Sequence, residues 1–482
     1  MASIKHKLGR EAFSIAFDRA YAKIGRDRQK AIVELFQTAE KYLKNSGFDM
    51  DYEKMEKALM EPDGVLITYI NRIIDTIDKS VLKKAVLNFG YEAMFTGTKK
   101  MHEAREKYQC NVPWLILLDP TSACNLRCTG CWAAEYGHKL NLTLDEIDGI
   151  ICQGKELGIH LYAYTGGEPL VRKEDLIKIC EKHNDCQFIA FTNGTLVDDA
   201  FVAELKRVGN LWLAISLEGF EDVNDERRGQ GVFDKVMHTM EIMKEAGLVF
   251  ATSICYTSAN YKTVTSPEFI QMEKDKGVMF SMYFHYMPVG NSASPELMVR
   301  PEQRKYMIDR IRTIRSTHEE GEGLFVFDFQ NDGEYVGGCI AGGRNYFHIN
   351  ANGDAEPCVF IHYSDSNIRE KTLIETLQSP LFMAYHEDQP FCGNHLRPCP
   401  MLENSGMLTQ LLKRTNAHST DLESPESPEH LCAKTWNYAK EWAPEAARLF
   451  DKETGKTRLD LVREDRKALS ADDEAEGAES EI

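Results

Sequence analysis

From Trp114 onward the chain repeats one grammar, in which short and almost wholly apolar runs alternate with amphipathic stretches. The runs are Trp114–Leu118, Ile159–Tyr164, Gln187–Phe191, Leu211–Leu217, Leu248–Tyr256 and Val278–Tyr286. Helical candidates lie between them, near 143–157, 173–183, 198–208, 232–246 and 266–276. A strand that is apolar on both faces must be buried on both, which is the situation of a parallel sheet covered by helices. Six such units are too few to close an eight-stranded barrel. The expected fold is therefore α/β, an open, partial (β/α)6 parallel barrel over residues 110–320.

The flanks follow other rules. In residues 1–108, Ile32, Leu35, Phe36, Ala39 and Leu43 share one helix face, and Ile70, Ile73, Ile74, Ile77 and Val81 share another. Asn45-Ser46-Gly47 and Pro62-Asp63-Gly64 read as turns. This N-terminal region is expected to be all-helical and to cap the rest. A substrate or membrane-surface role for the apolar segment around Lys83, Lys84, Phe89 and Phe95 is the alternative, which leaves peripheral membrane contact open. Residues 324–440 lose the alternation and are rich in Cys, Gly and Pro, which marks a small separate domain. Residues 441–482 are expected to form a C-terminal helix and a disordered tail, because Ser470–Ile482 holds six acids and no base.

Charge and cysteine usage narrow the setting. The formal net charge is −18, the wrong sign for a binder that relies on nucleic-acid phosphates. Met1–Arg10 is polar and basic with no apolar run behind it, and no stretch reaches the roughly 20 apolar residues of a membrane span. Thirteen cysteines in a chain of 482 residues without an export signal point to thiolate chemistry in a reducing cytoplasm rather than to a disulfide framework.

Directly after the first strand comes Cys124-Asn-Leu-Arg-Cys128-Thr-Gly-Cys131, a CxxxCxxC loop. Three clustered thiolates without a fourth suit an iron–sulfur cubane with one open iron. A closed zinc site is the alternative, for which only His138 is at hand locally. Three further loops follow successive strands: Gly166-Gly167-Glu168-Pro169, Thr192-Asn193-Gly194 and Ser216-Leu217-Glu218-Gly219. In parallel barrels those strand ends carry the active site, so the four loops are expected to meet at one mouth.

With this set of motifs, residues 110–320 resemble the radical S-adenosylmethionine superfamily. The resemblance implies that Cys124, Cys128 and Cys131 hold a [4Fe-4S] cluster. It implies that Gly166, Gly167 and Glu168 hold the methionyl end of S-adenosylmethionine, and that Asn193 and Ser216 contribute contacts, Ser216 to the ribose. Asp225 and Arg228, in Asn-Asp-Glu-Arg-Arg-Gly, resemble the motif whose arginine grips the cofactor carboxylate. The residue before the third cysteine is usually aromatic in this family, but here it is Gly130, and Trp132 is the nearest candidate for packing on the adenine. The implied reaction cleaves S-adenosylmethionine with one electron, from a donor such as ferredoxin or flavodoxin, and uses the 5′-deoxyadenosyl radical to take hydrogen from substrate. No catalytic side chain is implied beyond the cluster and cofactor.

Farther on, Cys339 and Cys358 flank Gly353, and Cys392, Cys399 and Cys432 follow. This resembles the SPASM/Twitch auxiliary-cluster domain, of which a full version uses seven cysteines. Five ligands cannot build two four-cysteine clusters. One additional iron–sulfur cluster is therefore expected on Cys339, Cys358, Cys392 and Cys399, with Cys432 as substitute and zinc as the rival metal. The remaining Cys110, Cys152, Cys180, Cys186 and Cys255 show no ligand spacing and read as small buried side chains. The resemblance favours a peptide or protein substrate. A lipid or other small apolar molecule shielded by the N-terminal helices is the second reading, and a non-catalytic iron–sulfur or zinc scaffold is the third.

Overall fold

The computed structural model describes residues 4–47, 50–316 and 324–464. All six expected strands are present, as β1 Leu115–Leu118, β2 Leu161–Tyr164, β3 Gln187–Thr192, β4 Leu211–Ser216, β5 Phe250–Tyr256 and β6 Phe280–His285. Neighbouring strands pair in parallel, with Leu115 opposite Leu161 and Ala251 opposite Phe280. The five expected helices also form, and their ends explain themselves. Thr143 and Glu146 make a reciprocal capping box on Leu144–Leu157, worth about 1 kcal/mol. Asp198 and Ser266 cap Asp199–Val208 and Pro267–Lys276.

The sheet is larger than the sequence indicated. β7 Phe325–Asp328 adds in parallel beside β6, and β8 Tyr346–Ile349 adds in parallel beside β1. β9 Ala355–Glu356 returns antiparallel along β8, giving the order β7-β6-β5-β4-β3-β2-β1-β8-β9. The partial barrel thus has eight parallel strands, two of them drawn from the cysteine-rich third region. These two run four residues each and lack the flanking helix pattern that exposed the other six.

Helices occupy the described part of residues 4–108, including a π-helical stretch at Val86–Gly97. They pack on the N-terminal ends of the strands. Asn88 Nδ2 donates to the carbonyls of Asn184 and Cys186 just before β3, the Asp78 amide donates to the Gly247 carbonyl before β5, and Phe89 meets Trp114 before β1. Lys83 pairs with Asp18 at 2.6 Å, and Phe89 is spent on the barrel floor. The segment around Lys83 and Phe89 thus contacts the N-terminal ends of the strands, the end opposite the cysteine loop. Among the described residues no helix is long and apolar enough to cross a membrane.

The helix Pro428–Leu449 runs through the expected boundary at 440, and a short hairpin of Phe450–Asp451 with Lys456–Thr457 follows it. It is held to helix Pro301–Ser316 by the fully buried Arg304, whose guanidinium donates to the Tyr438 hydroxyl at 3.0 Å and lies over Trp442 while pairing with Glu403 in the preceding segment. The acidic tail Ser470–Ile482 lies outside the described residues.

Candidate functional site

The cysteine loop leaves the C-terminal end of β1 as irregular chain, so its shape is set by what it bonds to. The Gly167 amide donates to Thr121 O and the Glu168 amide to Ala123 O, at 3.0 and 2.8 Å. A Cβ on Gly167 would lie 2.3 Å from Ala123 O, so only glycine allows this contact. The glycine pair lets the backbone leading into the cysteines approach closely.

Glu168 is buried and joins two of the loops. It accepts from Leu170 N, from Thr192 Oγ1 at 2.7 Å and from Asn193 N at 2.7 Å. Burial raises its pKa, and those three donors offset part of the rise. Asn193 in turn donates to Asn125 Oδ1 inside the cysteine loop at 2.8 Å, and Asn125 donates to Thr195. Asn125 was not singled out from the sequence, although it sits between two ligand candidates. Ser216 ends β4 half-buried, opposite Ser253 of β5.

On the other side of the loop stand Glu218, Arg227 and Arg228. Both guanidinium groups bond the same oxygen of the fully buried Glu218, Arg227 at 2.6 Å and Arg228 through Nε at 3.0 Å. Glu218 Oε2 is buried without a hydrogen-bond partner. Arg228 Nη1 lies 4.0 Å from Cys128 Sγ, and Arg227 exchanges hydrogen bonds with Thr129 through its side chain and its carbonyl. Arg228 is thus placed at the cysteine loop as expected, but it comes with Arg227 and Glu218, which the sequence reading passed over. Asp225 has a different job: it accepts from the Gly231 and Phe233 amides and caps the following helix.

Gly130 has φ +65°, and a Cβ there would lie 2.7 Å from the Tyr286 hydroxyl. The ring of Tyr286, from the end of β6, fills the space an aromatic residue at 130 would need. Trp132 points elsewhere, with its ring against Tyr136, His348, Phe360 and His362. Tyr162 and Tyr283 bond backbone carbonyls in the core, and neither they nor the buried His285 line an open site.

The three loop cysteines are half-buried. Burial pushes the Cys124 thiol up to about 11 and raises Cys128 as well, so it is a bound cation that would keep them as thiolates at neutral pH. The donor set suits the expected cluster: three sulfurs on one loop, flanked by two guanidinium groups and by a buried carboxylate oxygen still lacking a partner.

A second group of cysteines lies farther out. Cys339, Cys358 and Cys399 line one apolar cavity with Met287, Phe329, Tyr346 and Phe360. Burial raises all three thiols, that of Cys339 to about 11. The Tyr346 hydroxyl is 2.8 Å from Cys358 Sγ. Cys392, expected with this set, does not line the cavity. Cys432 does not line it either, and its sulfur accepts from the Thr409 hydroxyl at 3.3 Å.

Residues 118–266 match the Radical SAM superfamily. The chain is similar to the Fe-coproporphyrin III synthase of Methanosarcina barkeri, 25% identical over 231 residues, which are 46% of this chain and 57% of that protein. It is also similar to the PqqA peptide cyclase of Granulibacter bethesdensis, 24% identical over 256 residues, 51% of this chain and 67% of that protein. The chain therefore spans little more than half the length of the first of these relatives. Among solved structures, histidine-tagged anSMEcpe with bound AdoMet shares the fold at a TM-score of 0.50 and 18% identity, covering 70% of this chain and 98% of that one.

Proposed function

Because residues 118–266 match the Radical SAM superfamily, we propose that this chain is a radical SAM enzyme that cleaves S-adenosylmethionine reductively and removes hydrogen from a peptide or protein substrate. Cys124, Cys128 and Cys131 hold the [4Fe-4S] cluster in this reading. The observation that carries it is the convergence on that loop of Gly166–Glu168, Asn193 and the Arg227–Arg228–Glu218 group. When bound, the cluster and S-adenosylmethionine supply one electron and the 5′-deoxyadenosyl radical. The chain's own residues position. In this reading Glu168 and Asn193 fix the loops at the methionyl end, Ser216 serves the ribose, and Arg228 serves a carboxylate. Asp225 serves by holding the helix that follows the two arginines. Trp132 is turned toward His348 and Phe360 and serves the wall between the cysteine groups.

Cys339, Cys358 and Cys399 hold one auxiliary cluster, with the fourth ligand from Cys392 or Cys432. The electron comes from a ferredoxin- or flavodoxin-type donor in the cytoplasm. A small apolar substrate is the second reading. It is favoured by the half-exposed Phe191, Phe284 and Phe327 around Ala214, Ala251 and Met282. Anaerobic reconstitution followed by dithionite and S-adenosylmethionine tests the proposal. Formation of 5′-deoxyadenosine is expected, and its absence from protein loaded with iron overturns the assignment.

A further inference from the structure

On the flank of the cysteine loop away from the two arginines, a set of ionisable side chains is buried together, and the reading above uses none of them. Asp119 ends β1, Tyr136 closes the short helix after Cys131, His348 lies in β8, and Glu356 lies in β9 two residues before Cys358. All four are at most 3% exposed. His348 bonds Asp119 Oδ1 through Nε2 at 2.8 Å and Glu356 Oε2 through Nδ1 at 2.7 Å. The Tyr136 hydroxyl donates to that same Glu356 oxygen at 2.7 Å, and Asn350 donates to the other at 2.9 Å. Tyr136 is stacked on His362 at 4.3 Å, and His362 is bonded to Asp421 at 2.7 Å.

A neutral imidazole carries one N–H, so with Asp119 and Glu356 both ionised His348 donates to the two of them as the imidazolium. Burying such charges costs several kcal/mol per ion, and well-packed apolar side chains would serve stability as well. What the charged set supplies is fixed relative placement. Asp119 stands five residues before Cys124, Tyr136 five residues after Cys131, and Glu356 just before Cys358. The Trp132 indole sits edge-on between His348 and Phe360, at 5.9 and 6.3 Å.

We propose that His348 is a positioning residue that locks the cysteine loop and the Cys358 turn into one rigid unit, so that the two cysteine groups keep a single relative arrangement. The idea rests on the proposed function only in treating both groups as metal centres. A plain staple of β8 to β9 would act on its own strands alone, which makes the two roles separable.

The test is amide hydrogen exchange on the reconstituted full chain, comparing the parent with His348→Gln and with Glu356→Gln, which keeps the shape and removes one charge. Residues 119–136 and 346–362 are expected to lose protection together, exchanging about tenfold faster, while β4 and β5 keep theirs. The paramagnetic signal of the centre that responds to S-adenosylmethionine is expected to change line shape in Glu356→Gln, although that substitution lies in the other group's turn. Loosening of 346–362 alone, with 119–136 and the signal as in the parent, overturns the proposal. Should iron stop at four per chain, the auxiliary centre fails on its own account, and the exchange result still decides about His348.

Discussion

The two cysteine groups are built in opposite ways. Cys124, Cys128 and Cys131 sit on one short loop, half-buried, with Arg227 and Arg228 beside them. Cys339, Cys358 and Cys399 come from three separate segments and meet in a cavity walled by Phe329, Phe360 and Met287. A guanidinium stabilises added negative charge, and an apolar wall does not. A cluster in the first place is therefore easier to reduce, by its surroundings, than the same cluster in the second. The first also lies among loops that face the barrel interior, whereas the second is enclosed. In the proposed reading, the difference separates a centre made to react from one made to hold or pass charge.

The comparison can be broken most directly at the first group. Replacing Cys124, Cys128 and Cys131 together with Ala should abolish 5′-deoxyadenosine formation and leave about four irons per chain in the second group. Chromatography and iron analysis read both outcomes, and surviving cleavage would mean that the groups' roles are exchanged. A smaller effect sharpens the second group. Cys399→Ala should lower iron from about eight to about four while S-adenosylmethionine cleavage continues. Cys392→Ala and Cys432→Ala then identify the fourth ligand, since only one of them should cost iron.

The smallest effect concerns the clamp between the groups. Burial alone would lower the His348 pKa, but Asp119 and Glu356 outweigh it and bring it to about 10, above the ordinary 6.5. A raised folded value means that the stabilisation is complete below pH 6.5 and is lost as pH rises through about 10. Thermal midpoints of the parent should fall across that window, and His348→Gln should show a flatter profile. Parallel profiles would remove the clamp from the account.

What the sequence disclosed follows the same division. The cysteine loop is contiguous, and the six strands that alternate with helices carry apolar runs flanked by periodic patterns and caps, so each could be read locally. β7 and β8 escaped because Phe325–Asp328 and Tyr346–Ile349 owe their places to the open edges of a sheet formed elsewhere in the chain. His348, Glu356 and Asp119 escaped for a related reason. Each is a single polar residue in or beside an apolar strand, and only the pairing of β1, β8 and β9 gives them partners. Gly167 was noticed for a ligand contact, and its close approach to Ala123 O could not be read from the sequence. Cys392 was chosen by spacing, which carries no information about a cavity assembled from distant segments.

The position of β8 has a consequence for how the molecule comes into being. Leu115 of β1 pairs on one side with Leu161 and on the other with Tyr346. As the chain leaves the ribosome, the first edge is covered early, whereas the second stays bare until most of the protein has been synthesised. Bare edges are templates for wrong partners, and closing such distant pairs is slow. The nascent enzyme therefore passes through a long interval in which the strand that launches its cysteine loop is the part most exposed to misassembly, and chaperone demand should concentrate there.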